Sequence, residues 1–227
     1  MATDRTPDVH RDRSGKRLID YPRPSVAVDA ALLTLLATDS NEPVLAVLQV
    51  RRQNGYGWGL PGTFLHQGER LSEAVNRGLR DKAGVDGLAP RQLQVFDDPA
   101  RDDRGWVLSV AHVDVVALHR LDTRLVNETR IVPTDRPGRL PYGHGDIIAL
   151  AVQDLQTRYA DRPDPDRLLP ETFTLRELRL VHQAIAGRPL QRDTFRRALE
   201  HQLLGTGQFV TRGPGRPAEL FTRLHRT

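Results

Sequence analysis

Two sets of side chains in this 227-residue chain have types and spacings suited to handling phosphates. The first lies between Leu60 and Val85. Pro61-Gly62 and Gly68-Glu69 bracket a short loop with the spacing of a phosphate-handling loop. From Leu71 the apolar residues Leu71, Ala74, Val75, Leu79 and Ala83 recur at helical steps, which predicts a helix stopped by Gly84. Positions 78, 81 and 82 then share one helix face. They carry Gly78, Asp81 and Lys82, that is, no side chain, one short carboxylate and one cation. A Lys ammonium repels a divalent metal ion and is itself a point charge suited to a phosphate oxygen. The second set is Arg192, Thr194, Arg196 and Arg197, with Arg212 and Arg216 further on. Arginine can take guanine edges or backbone phosphates.

The elements that must position these residues can be read from the pattern. Val26 to Leu36 and Val44 to Val50 are strand-like, separated by Asp39-Ser40-Asn41, and Arg51-Arg52 ends the second strand. Leu93 to Phe96 and Val107 to Leu118 predict two more strands, and residues 119–145 read as irregular. In HGDIIALAVQDLQTRYA, Ile147, Ile148, Leu150, Ala151, Leu155 and Tyr159 form an apolar stripe with Asp146 placed as its N-cap. DRPDPDRLLP, with three prolines, reads as a linker. Thr174 with Glu177 predicts a capping box, and Leu175, Leu178, Val181, His182 and Ile185 follow at helical spacing to Gly187. Asp193 is the expected cap of the next helix, whose Phe195, Leu199 and Leu203 face inward and leave the arginines outside. Helix, tight turn and helix make a helix-turn-helix. Gln208–Thr211 and Glu219–Leu224, joined by a Gly/Pro loop carrying Arg212 and Arg216, add a wing that can reach a narrow minor groove.

The stretch from Leu60 resembles the signature of the Nudix hydrolases and fits its frame without a gap. Glu69 falls on the first Glu, Arg77 on the Arg, Leu79 on the apolar position and Gly84-Val85 on the closing pair. Thr63 stands where the opening Gly belongs, Gly78 where a Glu belongs, and Asp81 and Lys82 where a Glu pair belongs. In that family this helix face presents carboxylates to divalent ions that bridge phosphates. The resemblance therefore implies a Nudix fold retained and hydrolysis mostly or wholly lost. FDDPARDDRGWVLSVAH after the box, and Gly215-Arg216-Pro217-Ala218 in the wing, resemble one branch, the Nudix-related transcriptional regulators of NAD metabolism (the NrtR family). It implies a DNA-binding repressor of NAD biosynthesis or salvage genes. ADP-ribose or a related nucleotide would be the effector, held by Arg51, Arg52, Glu69, Arg77, Asp81 and Lys82. No cofactor is required, and the residues argue against bound Mg2+. The readings set against it are a hydrolase of ADP-ribose or a similar diphosphate using Glu69 and Asp81, and an RNA-binding module.

Composition is compatible with this. Hydrophobic residues at 38% and charged residues at 27% describe an ordinary soluble protein, with no run long enough for a membrane span. Cys is absent, which excludes disulfides and thiolate metal sites; the polar start is no secretory signal, and a bacterial cytoplasm is the expected address. The net charge of +4 is unevenly placed: residues 171–227 hold ten Arg against five Asp or Glu, leaving 23 basic against 24 acidic residues before them. A basic module on a neutral one suggests a nucleic-acid reader fixed to a sensor, although a solvated basic surface would give the same count. His112 and His119 read as structural. The expected class is α+β, an N-terminal Nudix-like α/β/α sandwich followed by a C-terminal winged helix-turn-helix. The expected domains are a flexible basic arm over 1–20, a sensor over 21–160, a linker over 161–170 and a reader over 171–227. A homodimer on a palindromic double-stranded operator would follow from two-fold symmetry.

Overall fold

The computed structural model describes residues 10–39, 42–52, 57–211 and 216–224. Strand β1 (Ser25–Leu36) is the spine of a seven-stranded mixed sheet, with β2 (Val44–Arg51), β3 (Trp58–Gly59), β4 (Gly62–Phe64), β5 (Arg91–Phe96), β6 (Val107–Val115) and β7 (Thr129–Pro133). Helix α1 (Leu71–Ala83) follows β4, and helix α2 (His144–Tyr159) follows β7. β6 runs parallel to β1 from Ser25↔Val107 to Leu33↔Val115. On its other side β1 changes partner along its length: β4 pairs at Ala27–Asp29 and β2 at Leu33–Leu36, both antiparallel. Residues of both partners, β2 and β4, line a cleft.

Alternation along β1 builds both layers, because successive side chains leave opposite faces of a strand. Val28, Ala30 and Leu32 pack with Leu48, Val110 and the α1 residues Ala74, Val75 and Leu79. Ala31 and Leu33 point the other way, into a cluster with Val47, Val113 and Ile147, Ile148, Ala151 and Leu155 of α2. This is the expected α/β/α sandwich. Gly62 is required at the crossing of β4 over β1, since a Cβ there would stand 2.0 Å from Asp29 Oδ1. Gly84 closes α1 in the left-handed conformation, φ 67°.

The second body contains β8 (Phe173–Thr174), α3 (Leu175–Ala186), α4 (Arg192–Leu199), β9 (Leu203–Val210) and β10 (Ala218–Arg223), with sheet order β8-β10-β9. Phe173, Leu178, Phe195, Leu199, Leu203 and Phe221 make its core. The capping box of α3 is present, with Thr174 accepting from the Glu177 N–H and Glu177 from the Thr174 N–H. The winged helix-turn-helix expected from the spacing is therefore the fold observed.

Several local expectations are corrected. Asp146 is not the cap of α2, which starts two residues earlier after Gly143; Asp146 lies in its first turn, where a carboxylate still favours the helix dipole. Asp193 is likewise inside the first turn of α4, and the cap is Gln191, whose side chain accepts from the Thr194 N–H. Leu203 faces inward from β9, because the helix ends at Leu199. The strand from Val107 stops at Val115, and His119 lies in a 3-10 turn. The stretch 119–145 contains β7, paired with β2 from Ala46↔Pro133 to Val50↔Thr129; its five residues are bounded by charges and a terminal proline, so alternation is too short to register. Residues 1–9 of the expected arm lie outside the described residues, and Arg11 pairs with Arg17 in an isolated bridge.

The proline-rich stretch after α2 is folded against both bodies through Asp164, 2% exposed. Its Oδ1 accepts from Tyr159 Oη at 2.8 Å and the Leu168 N–H at 3.0 Å; Oδ2 accepts from the Leu169 N–H at 2.9 Å and from Arg223 of β10. Asp164→Ala would leave the Arg223 guanidinium, 12% exposed, without its counter-charge. Unfolding in urea should show a loss of about 3–5 kcal/mol, the cost typical of breaking a buried pair. A loss under about 1 kcal/mol would place the pair in the class of exposed ion pairs.

The loop before α1 is clamped in a similar way. Arg77 gives Nε to Glu69 Oε1 at 2.8 Å and Nη2 to Oε2 at 2.9 Å, and reaches Thr63 Oγ1 at 3.1 Å and the Phe64 carbonyl at 2.8 Å. The Arg77 guanidinium, with the His66 N–H, holds the Glu69 carboxyl at about 2 against an ordinary 4.5. A folded value below the ordinary one stabilises the fold above pH 4.5, and the contribution is lost as pH falls toward 2. Glu69→Gln should therefore flatten the acid side of the stability profile in that window, measured by urea midpoints between pH 5 and 2. An unchanged slope would mean that the clamp does not hold the loop.

Candidate functional site

The cleft has a volume of about 280 Å³ and is walled by the end of β2, by β4, by α1 and by the turn leading into α2. Arg51, Arg52, Asp81 and Lys82 of the six expected ligand residues line it. Glu69 and Arg77 are brought together beside it and engage each other. Arg52 Nη2 donates to Tyr142 Oη at 2.7 Å and its guanidinium lies 5.2 Å from that ring. Arg51 packs over Trp58 at 5.5 Å, with Glu128 3.9 Å away.

Sequence reasoning did not single out Arg104, Tyr142, His144 or Asp29. Arg104 is held by buried Asp102 through bonds of 2.8 and 2.7 Å, and its guanidinium sits 4.4 Å from the Tyr142 ring and 5.1 Å from that of Phe64. Tyr142 adopts φ 56°, a left-handed conformation uncommon for an aromatic residue, and Gly143 follows at 67°. Those two residues swing His144 into the cleft wall. Its Nδ1 accepts the Leu60 N–H at 2.9 Å, so the proton resides on Nε2, which faces Asp29 Oδ1 at 3.3 Å. Ser109 Oγ donates to the other Asp29 oxygen at 2.5 Å, and Arg101 lies 3.7 Å away. Burial alone would raise the Asp29 carboxyl; the bonds from His144 and Ser109 and the charge of Arg101 outweigh it and keep it below the usual range. The available signal was indirect: Arg104 sits in the loop before β6, and His144 two residues before the residue read as a cap. His112 is structural as expected, buried with Nδ1 3.0 Å from the Val110 carbonyl.

The acid positions of α1 do not assemble a metal site. A Cβ on Gly78 would stand 3.3 Å from Thr63 Cγ2, so the Thr63 side chain occupies space beside the missing acid. Two of the four departures from the Nudix signature are thus packed on each other. Lys82 Nζ donates to the Gly62 carbonyl, Asp81 is exposed with Arg80 3.6 Å away, and Glu69 is committed to Arg77. A glycine, a lysine and a glutamate tied to an arginine do not fit a divalent ion, and among the described residues no group of three His, Asp or Glu side chains is arranged to hold one. Burial lowers the Lys82 pKa, and Asp29 only partly compensates.

The other candidate residues lie on the second body. Arg192, Thr194, Arg196 and Arg197 are all exposed on α4, opposite buried Phe195 and Leu199. Arg196 is paired with Glu200 at 2.6 Å, and Arg197 Nε reaches the Asp193 carbonyl at 3.3 Å. Arg216 is exposed ahead of β10, and Arg212 falls outside the described residues. Between α3, α4 and the wing runs a groove of about 480 Å³ lined by Arg176, Arg179, Arg192 and Arg196; the two arginines of α3 had not been singled out.

Helix α2 joins the two regions. His144 at its start is bonded to the cleft, and Tyr159 at its end meets the His182 ring edge-on at 5.1 Å, which meets Phe195 of α4 at 4.9 Å. Val181 and Ile185 of α3 share the buried cluster of α2, and Gln156 donates to the Ile185 carbonyl at 3.0 Å. Among the described residues no helix is long and apolar enough to cross a membrane.

Residues 166–222 match the family of the NrtR DNA-binding winged helix domain. The chain is 28% identical over 194 residues to an Acinetobacter baylyi protein named ADPR responsive transcriptional repressor NtrR, covering 79% of this chain and 74% of that one. It is 34% identical over 144 residues to an ADP-ribose pyrophosphatase of Methanocaldococcus jannaschii, covering 62% and 80%. The crystal structure of Shewanella oneidensis NrtR complexed with a 27mer DNA superimposes with a TM-score of 0.70 at 31% identity, covering 88% of this chain and 93% of that one. The NUDIX domain of the same Shewanella protein, complexed with ADP ribose, matches 63% of this chain and 95% of its own length at 26% identity and a TM-score of 0.51. With both bodies and their order along the chain matched, the chain belongs to the NrtR family.

Proposed function

We propose that this protein is a transcriptional repressor that grips operator DNA through its winged helix and lets go when ADP-ribose enters the cleft. The observation that carries the reading is the sharing of α2: the cation-lined cleft bonds to its first residue, and the packing around α4 begins at its last. The names of the Acinetobacter and Shewanella relatives agree with both halves. Arg51, Arg52, Lys82 and Arg104 supply positive charge for a diphosphate, while Asp81 and Glu128 are the acids among the lining residues. Glu69 and Arg77 support the loop from beside it. Hydrolysis is not part of the function, because the acid face is filled or cationic; the pyrophosphatase relative is a likeness of fold and sequence. The regulated genes are those of NAD biosynthesis or salvage.

DNA is held by Arg192, Thr194, Arg196 and Arg197 from the helix and by Arg212 and Arg216 from the wing. Two copies related by two-fold symmetry read a palindromic site, since one helix spans few base pairs. Arg196 must exchange Glu200 for DNA, so its net contribution is smaller than that of Arg197. Effector binding lowers affinity by favouring a placement of the two readers that fits the operator poorly.

The deciding experiment is a titration of ADP-ribose into the complex of the full chain with DNA from upstream of its own neighbouring genes. Release at micromolar to millimolar nucleotide, without AMP formation, is the expected result. Unchanged affinity at millimolar nucleotide defeats the effector, and rapid metal-dependent AMP release defeats the non-enzymatic reading. On the DNA side, Arg197→Ala should cost about 1–3 kcal/mol if it meets a base. Arg216→Ala should reduce the salt slope by about 1 if it meets phosphate. Wild-type mobility shifts for both would mean the reading surface lies elsewhere.

A further inference from the structure

We propose that Lys82 replaces the divalent cation, so that this cleft binds a nucleotide diphosphate through a built-in ammonium and needs no metal. This rests on the effector reading above and adds how the charge of the phosphates is met. In a Nudix signature position 82 carries a carboxylate that would face a metal; here it carries a positive charge in the cleft wall.

Four observations converge on this role. Lys82 Nζ is anchored by the carbonyl of Gly62, a β4 residue that lines the cleft as Lys82 does. An ammonium has three donors, so two remain for a ligand once one is used on a carbonyl. Among the described residues no carboxylate forms an ion pair with Lys82, whereas Arg104 is held by Asp102 and Arg77 by Glu69. The cation is therefore positioned without being neutralised. The third observation is the packing of Thr63 against Gly78, which removes a neighbouring acid position and fills space beside it. The fourth is Asp29, a buried carboxylate whose charge opposes the lowering of the Lys82 pKa by burial while its own bonds go to Ser109 and His144. A cation held in low dielectric acts more strongly on a phosphate than one in open water, and no metal needs to be recruited first.

The test is calorimetric binding of ADP-ribose and of inorganic pyrophosphate to the full chain, in EDTA and in magnesium, for wild type, Lys82→Met, Lys82→Arg and Lys82→Glu. Wild type should bind ADP-ribose equally in both buffers, within about twofold. Lys82→Met, with its melting temperature checked, should weaken binding at least about tenfold, the low end for a hydrogen bond to a charged group. Lys82→Arg should recover part of the loss, which a purely structural role for the lysine stem would not give. Lys82→Glu should bind poorly in EDTA and improve with magnesium. ADP-ribose binding by wild type only in magnesium overturns the lysine's role and leaves the sensor reading intact. Pyrophosphate binding in EDTA that Lys82→Met abolishes, with no binding of ADP-ribose, overturns the choice of effector and leaves the lysine's role standing. Equal binding by wild type and Lys82→Met, or no binding of either probe, overturns the proposal.

Discussion

Helix α2 has to satisfy the sheet of one body and the first reader helix of the other at once, and that constraint organises the molecule. Ile147, Ile148, Ala151, Leu155 and Tyr159 are buried along its length, in one cluster with β1, β2, β6 and α3. At roughly 1.5–3 kcal/mol for each large apolar side chain, detaching the helix costs far more than a ligand's coupling energy of about 1–3 kcal/mol. Binding in the cleft can tilt or shift the helix but cannot undock it. Sixteen residues span about 24 Å, so a small rotation at His144 becomes a larger displacement at Tyr159. From that end, edge-on packing of the Tyr159, His182 and Phe195 rings runs without a break to α4. His182 is suited to this as a neutral spacer: burial pushes its pKa down, and Nε2 is tied to the Pro163 carbonyl at 2.6 Å.

The same economy governs the cleft. Losing a metal cluster would ordinarily leave a void and an unmet anion. Here the Thr63 side chain packs where Gly78 has none, and Lys82 brings a charge of the sign a phosphate needs. Glu69 and Arg77, kept from the Nudix pattern, serve the loop rather than the ligand: each occupies the other, and together they fix β4 relative to α1. A catalytic scaffold thus retains its framework pair while the residues facing the substrate change their chemistry.

Much of this was legible in the sequence because it rests on short-range patterns. The α1 frame, the capping box at Thr174 and the outward arginines of α4 follow from periodicity and capping, which act within a turn or two of chain. What escaped depends on residues far apart in sequence. Asp29, Ser109 and His144 meet only because β1, β6 and α2 converge. Arg104 enters the cleft from a loop, and Tyr142 needs a left-handed backbone that no local pattern announces. The caps were misplaced, by three residues at α2 and two at α4, because Asp146 and Asp193 are as favourable inside a first turn as before it. That the Thr63 and Gly78 departures compensate each other could not be seen until β4 was laid across α1.

The coupling between cleft and reader is most directly tested by its reciprocity, since two sites linked through one element must affect each other's affinity by the same factor. The measurement is the dissociation constant of ADP-ribose for the full chain, free and saturated with operator DNA. Operator should weaken the nucleotide by the same factor that the nucleotide weakens the operator. Identical nucleotide affinity in the free and DNA-bound protein would contradict it.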